Sequence, residues 1–207
     1  MPSNGNATDA VRSLCDADVE PCARALASAF ANDPIYRYIH PGDREWERVG
    51  PRFFRILLRY FAKHATVLTP MSGGAAAIWN APVAQRPAAL ARLRFTLQIS
   101  ALLGRRIARG ARVGTALESL HRDEPHWYLA ILGTEPAAQR RGLASRLMEP
   151  VLARCDAGNV AAHLETATET NLDFYASRGF RVIAEARVAG GPRIWRLRRA
   201  PRATKPV

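Results

Sequence analysis

The 207 residues carry 48% hydrophobic and 23% charged side chains, the mix of one globular domain with a packed core rather than a disordered or fibrous chain. Formal net charge is +12, nearly all of it arginine, since lysine occurs only at Lys63 and Lys205. Arginine interrupts every apolar window before it reaches the ~20 residues of a membrane-spanning helix. The three cysteines, Cys15, Cys22 and Cys155, are scattered without metal-ligand spacing, which fits reduced thiols and no bound metal.

The chain begins with polar residues at 1–8 that lack the basic segment and apolar core of a secretory leader, so a flexible tail and a cytoplasmic location are expected. Val11 to Leu14 reads as a short strand. Asp16, Asp18 and Glu20 supply the cap and acidic first turn of a helix whose apolar positions, Ala23, Leu26, Ala27 and Phe30, recur at helical spacing. Asn32-Asp33-Pro34 ends it, because a residue before proline avoids the α region. A short helix over Ile35 to Ile39 and an amphipathic helix over Glu45 to His64 follow, the latter with Phe53, Phe54, Leu57, Leu58 and Phe61 inward.

Ala65 to Thr69 and Gly74 to Asn80 read as two strands around the turn Pro70-Met71-Ser72-Gly73. A helical insertion is expected at about 86–121, broken into two or three helices at Gly104, Gly110 and Gly114. Strand and helix then alternate: Trp127 to Leu132, Leu143 to Cys155, Ala161 to Thr166, Asn171 to Ser177, Phe180 to Val188 and Arg193 to Arg198. The expected fold class is mixed α/β, one domain over 9–200 with helices on both faces of a sheet and a second flexible tail at 201–207. The last strand alternates Ile194, Trp195 and Leu197 with Arg196, Arg198 and Arg199, which predicts a solvated arginine face.

The most informative stretch is Gln139-Arg140-Arg141-Gly142-Leu143-Ala144, between a strand and a helix start. The first N–H groups of a helix have no internal partner and carry the positive end of its dipole. Small residues at Gly142 and Ala144 let an anion approach the backbone, and Arg140 and Arg141 add charge beside it.

That pattern, Gln/Arg-x-x-Gly-x-Gly/Ala after a strand, resembles the pyrophosphate loop of the GCN5-related N-acetyltransferase (GNAT) superfamily. Leu164-Glu165-Thr166, the block from Asn171 to Phe180 and Gly191-Pro192-Arg193-Ile194-Trp195 continue the likeness. Together with Glu124 to Ala130, these blocks are similar to puromycin N-acetyltransferase-like proteins. The resemblance is strong from about Leu120 to Leu197 and looser upstream, at Phe30 to Pro34 and Ala77-Ile78-Trp79. Two positions depart from it: Ala144 replaces a second glycine, and Thr134 stands where valine is frequent.

The resemblance implies a twisted, mostly antiparallel sheet whose strands Trp127–Leu132 and Ala161–Thr166 splay to admit acetyl-CoA. Coenzyme A would be held by Gln139, Arg140, Arg141, Gly142, Leu143, Ala144 and Ser145 at the diphosphate. Leu132, Gly133 and Thr134 would lie along the pantetheine arm, joined by Asn171 and Phe174. Tyr175 matches the family tyrosine that gives a proton to the leaving sulfur. Glu165, opposite in direction to Leu164 and Thr166 on its strand, is the candidate base. Asn32, Asp33, Tyr36, Trp79 and Trp127 are expected to wall an acceptor pocket for a small-molecule primary amine, such as an aminonucleoside antibiotic.

Each assignment has a plainer counterpart. Asn171 can cap a helix, Tyr175 can be a core aromatic, Glu165 can be a buried acid paired with arginine, and Asp33 can simply form the turn before Pro34. The charge also leaves open a nucleic-acid-binding or RNA-modifying protein, and the loop alone leaves open a non-catalytic acyl-CoA-binding module. A protein lysine is the other acceptor class. Oligomeric state is not encoded in any of these features.

Overall fold

In the computed structural model, residues 10–82, 87–120 and 124–202 are described. The tail expected over 1–8, and most of that expected over 201–207, lie outside the described residues. The chain runs β1 (Val11–Ser13), α1 (Val19–Ala29), α2 (Pro34–Ile39), α3 (Asp43–Phe61), β2 (Thr66–Pro70), β3 (Ala75–Asn80), α4 (Ala89–Leu103) and α5 (Ile107–Leu120). It continues through β4 (Trp127–Thr134), α6 (Leu143–Ala157), β5 (Ala162–Thr166), α7 (Asn171–Ala176), β6 (Arg181–Arg187) and β7 (Arg193–Arg199). Of the three glycines expected to break the insertion, only Gly104 does so, at φ 46°; Gly110 and Gly114 lie inside α5.

The strands form one seven-stranded sheet in the order β1-β2-β3-β4-β5-β7-β6. Every neighbouring pair is antiparallel except β4 with β5. That parallel pair is registered only at Trp127 with Ala162, Tyr128 with His163 and Leu129 with Leu164. Beyond it, β4 stays on β3 as far as Thr134 and β5 stays on β7 as far as Thr166, so the two strands part. The parting coincides with an irregularity opposite Ile78/Trp79, where the β3–β4 register skips Ala130. An extra residue in one strand bends it and increases its twist.

Each face of the sheet is covered because its alternate side chains are apolar. On one face, Leu143, Leu147, Met148, Val151 and Cys155 of α6 pack with Tyr175 of α7 onto Ala75, Ala77, Trp79, Leu129, Leu164 and Leu197. On the other, α1 and α3 bury Leu26, Trp46, Phe54 and Leu58 over Ala76, Ile78 and Ile131. A third cluster joins Ile39 of α2 with Val113, Ala116 and Leu120 of α5 over Ala167, Val188 and Ile194. Trp46 donates its indole N–H to the Ala27 carbonyl at 2.9 Å, which ties α3 to α1. Full burial of one such aromatic contributes on the order of 2–3 kcal/mol.

The arginine face expected of the last strand is largely inside. Arg196 is 1% exposed and Arg199 is 3% exposed. Arg199 forms a two-pronged ion pair with Asp156 at 2.7 and 2.8 Å, and Arg196 donates to His163 Nδ1 and to the Leu120 carbonyl. Packing over β7 encloses these two, so they are kept by partners, while Arg193 and Arg198 stay partly in solvent.

Candidate active site

Where β4 and β5 part, the sheet opens into a cleft of about 570 Å³. Its floor is Leu132, Gly133 and Thr134 of β4. One wall is the loop and first turn of α6, through Gln139, Arg140, Gly142, Leu143, Ala144 and Ser145. The other walls come from Asn32 and Asp33 before α2, and from Thr168, Asn171, Phe174 and Tyr175 at α7. Gly133 sits at a close approach: a Cβ there would meet Leu26 at 2.7 Å and Phe30 at 2.8 Å, so a larger residue would push these side chains at the end of α1 off β4.

The loop before α6 is shaped by two residues in the left-handed region, Arg140 at φ 63° and Gly142 at φ 77°. Such a backbone turns successive N–H groups toward one concavity. The first helical hydrogen bond runs from the Arg146 N–H to the Gly142 carbonyl at 3.1 Å. No side chain caps this helix start. The N–H groups of Leu143, Ala144 and Ser145 therefore lack helical acceptors at the positive end of a fifteen-residue helix. A Cβ at Gly142 would meet nothing within 4 Å, so space stands open in front of it. A diphosphate fits these residues: bare amides, positive dipole and room. Arg141 is exposed on the same loop but does not line the cleft.

Tyr175 is buried on the cleft wall, edge-on to Phe174 and Phe180 at 5.2 and 6.0 Å between ring centres. Burial pushes its phenol far above the usual tyrosine range, with nearby Asp33 adding to the effect and Arg178 opposing it. It thus keeps its proton at every physiological pH. Asn171 lines the cleft as the first residue of α7; Thr170 holds the capping position. Thr134 lines it too, its hydroxyl oxygen buried without a hydrogen-bond partner among the described residues. The Thr134 carbonyl accepts from the Gln139 side chain at 3.1 Å.

The acceptor wall differs from the sequence expectation. Of the five residues assigned to it, Asn32 and Asp33 line the cleft and Tyr36, Trp79 and Trp127 do not. Tyr36 is packed among Phe30, Trp46, Phe53 and Phe54, with ring centres 5.1 to 5.5 Å away. Trp79 is wholly buried under α6, because both faces of β3 are covered. Trp127 packs at the paired end of β4, away from the opening. Glu165 points away from Leu164, as alternation requires, but it too is absent from the cleft wall. The Tyr128 hydroxyl hydrogen-bonds with it, and burial and this carboxyl raise the Tyr128 phenol well above its usual range.

One wall residue and one residue packed behind the wall carry no signal in the sequence. Thr168 comes from the turn after β5 and donates to Asp33 at 3.4 Å. Arg178 lies beside the α6 start, donating to the Ser145 hydroxyl and to the Phe174 carbonyl, the latter at 2.7 Å. Its guanidinium carbon stands 3.7 Å from the Phe174 ring centre. In a chain with 30 lysines and arginines, one more arginine marks nothing. Among the described residues no cluster of histidine, cysteine or acid is arranged to hold a metal, and no helix is long and apolar enough to cross a membrane.

A mostly antiparallel sheet with one splayed parallel pair, an uncapped glycine-led helix at the splay and a buried tyrosine across from it define an acyltransferase of the GNAT class. Residues 83–198 match the family model described as an acetyltransferase (GNAT) domain, and the chain belongs to that family. Its fold is similar to the crystal structure described as histone acetyltransferase HPA2 and related acetyltransferase from Corynebacterium glutamicum, with TM-score 0.69 and 21% identity over 97% of this chain and 99% of that one. It is also similar to the ribosomal-protein-S18-alanine N-acetyltransferase from Escherichia coli, with TM-score 0.55 and 13% identity over 96% and 98% of the two chains. The arylalkylamine N-acetyltransferase 2 from Aedes aegypti aligns at TM-score 0.53 and 11% identity over 93% and 99%.

Proposed function

We propose that the protein transfers an acetyl group from acetyl-CoA to a primary amine of a small molecule, by direct attack in a ternary complex. The observation that carries the reading is the uncapped start of α6 opening into the same cleft that the buried Tyr175 lines. When bound, acetyl-CoA supplies a thioester whose acyl carbon an amine can attack. The amides of Leu143, Ala144 and Ser145 hold the diphosphate, with Gly142 giving access and Arg140 and Arg141 adding field. The β4 edge at Leu132 to Thr134, where β5 has parted from it, pairs with the amides of the pantetheine arm as an added strand would, and Asn171 and Phe174 bound its other side. A backbone N–H near Leu132 stands as the donor for developing charge on the acyl oxygen. Tyr175 holds a proton on its hydroxyl for the departing sulfur.

The structural neighbours are described as acetyltransferases of histones, of a ribosomal-protein alanine and of arylalkylamines. The acceptor of this chain is therefore read from its own cleft, which Asn32 and Asp33 help to line. These polar groups suit an amine-bearing metabolite or an aminonucleoside antibiotic. Thiol release from acetyl-CoA, measured against a library of amines that includes puromycin, is the direct test. Amine-dependent release is expected, and calorimetry showing no uptake of coenzyme A would remove the proposal.

A further inference from the structure

Asp33 sits at the start of α2, where one carboxylate oxygen caps the helix and the other has only one long side-chain contact. Its Oδ1 accepts the N–H groups of Ile35 and Tyr36 at 2.9 and 3.3 Å, a helix cap. Its Oδ2 has a single long contact, the Thr168 hydroxyl at 3.4 Å. The residue lines the cleft together with Tyr175. The chain holds 30 lysines and arginines against 18 acids, yet among the described residues no ion pair with Asp33 is formed. Glu165 is the contrasting acid: it is off the cleft wall and hydrogen-bonded with Tyr128.

We infer that Asp33 is the carboxylate that receives the acceptor's ammonium group and takes its proton. This rests on the acetyl-transfer reading above. The incoming amine is cationic at neutral pH and has no lone pair for attack. One N–H proton moves to Asp33 Oδ2, which frees the lone pair. The C–N bond forms as the C–S bond breaks, and the departing sulfur takes the Tyr175 proton. The acylated nitrogen then loses its second N–H proton, which restores the Tyr175 phenol, and Asp33 releases its proton to water, so that ammonium and thioester become amide, thiol and one proton in solution. Burial raises the Asp33 carboxyl above its usual range, opposed by the two backbone N–H groups and Thr168, and this makes it a better proton acceptor than an exposed aspartate. The acid selects acceptors that carry a positive charge at the reacting nitrogen.

The test separates charge from capping. Asn caps a helix as well as Asp does, so Asp33→Asn keeps the Oδ1 contacts and removes only the negative charge and the basic oxygen. The expected result is a fall in kcat/KM of about 100-fold for strongly basic alkylamines. Weakly basic arylamines, already neutral at pH 7.5, should lose much less, and coenzyme A affinity by calorimetry should match the wild type. Asp33→Ser, which also caps, serves the same comparison if the Asn variant is unfolded. Unchanged turnover of alkylamines, or an equal loss for both acceptor classes, overturns the inference. Failure of the wild-type protein to bind coenzyme A would instead strike the underlying reading.

Discussion

The starts of α2 and α6 both line the cleft, and each brings unpaired amide donors to it, yet only one is satisfied by its own chain. At α2, Asp33 folds back on the Ile35 and Tyr36 N–H groups. At α6, Gly142 offers no side chain, and the first-turn amides remain open. The same helix-end physics thus yields opposite sites: bare amides attract an anion, while a capping carboxylate with a spare oxygen attracts a cation. The difference lies in one residue at each cap, and it sets which end of the cleft suits the phosphate-rich carrier and which suits the amine.

The strongest way to break this contrast is to give α6 a carboxylate of its own. Gly142→Asp is expected to lower coenzyme A affinity by at least about 100-fold, the size of two charge-assisted hydrogen bonds lost at ~1.5 kcal/mol each. Calorimetry measures it, and unchanged affinity in a folded variant would dismiss the assigned loop. Tyr175→Phe probes the group between the two ends. Its kcat should fall by about 100-fold with coenzyme affinity held, as steady-state kinetics beside calorimetry will tell.

The smallest effect belongs to a site outside the cleft. His163 is buried, its Nδ1 accepts from Arg196 at 2.9 and 3.2 Å, and its Nε2 lies 2.9 Å from Glu124. Burial, with His126 and Arg196 beside it, lowers its pKa from 6.5 to about 4. The unfolded chain then binds a proton below about pH 6.5 that the folded chain refuses until about pH 4. This contribution is complete above pH 6.5 and is lost as pH falls toward 4. The urea midpoint of the wild type should drop across that window, and His163→Gln should drop less, while coenzyme affinity of the two stays equal at neutral pH.

The α6 end was legible in the sequence because its determinants are local. A strand, a glycine and a helix start within a few residues fix both geometry and polarity, and Gln139, Arg140 and Gly142 to Ser145 line one concavity, with Arg141 outside it. Much of the fold was legible for a similar reason: the unbroken apolar run from Trp127 to Leu132 marks a strand covered on both faces, and the helical spacing of Leu26, Phe54 and Leu58 marks helices with one covered face. The acceptor side was not. Trp79 lies on a strand buried on both faces, so alternation is silent about which way it points. Tyr36 has a polar tip that suits a pocket, but four aromatic neighbours from α1 and α3 enclose it, and those contacts are distant in sequence. The skipped Ala130 shifts the phase of β4 by one residue, which no pattern of apolar letters records. Arg196 is hidden by the end of α5, a helix from the insertion, and strand periodicity alone placed it outside.

Only three residue pairs tie β4 to β5. The sheet is in effect a plate of four strands and a plate of three, hinged along one short seam. The core under α6 and Tyr175 spans that seam on one face, and a molecule in the gap would touch both plates and add a second tie between them.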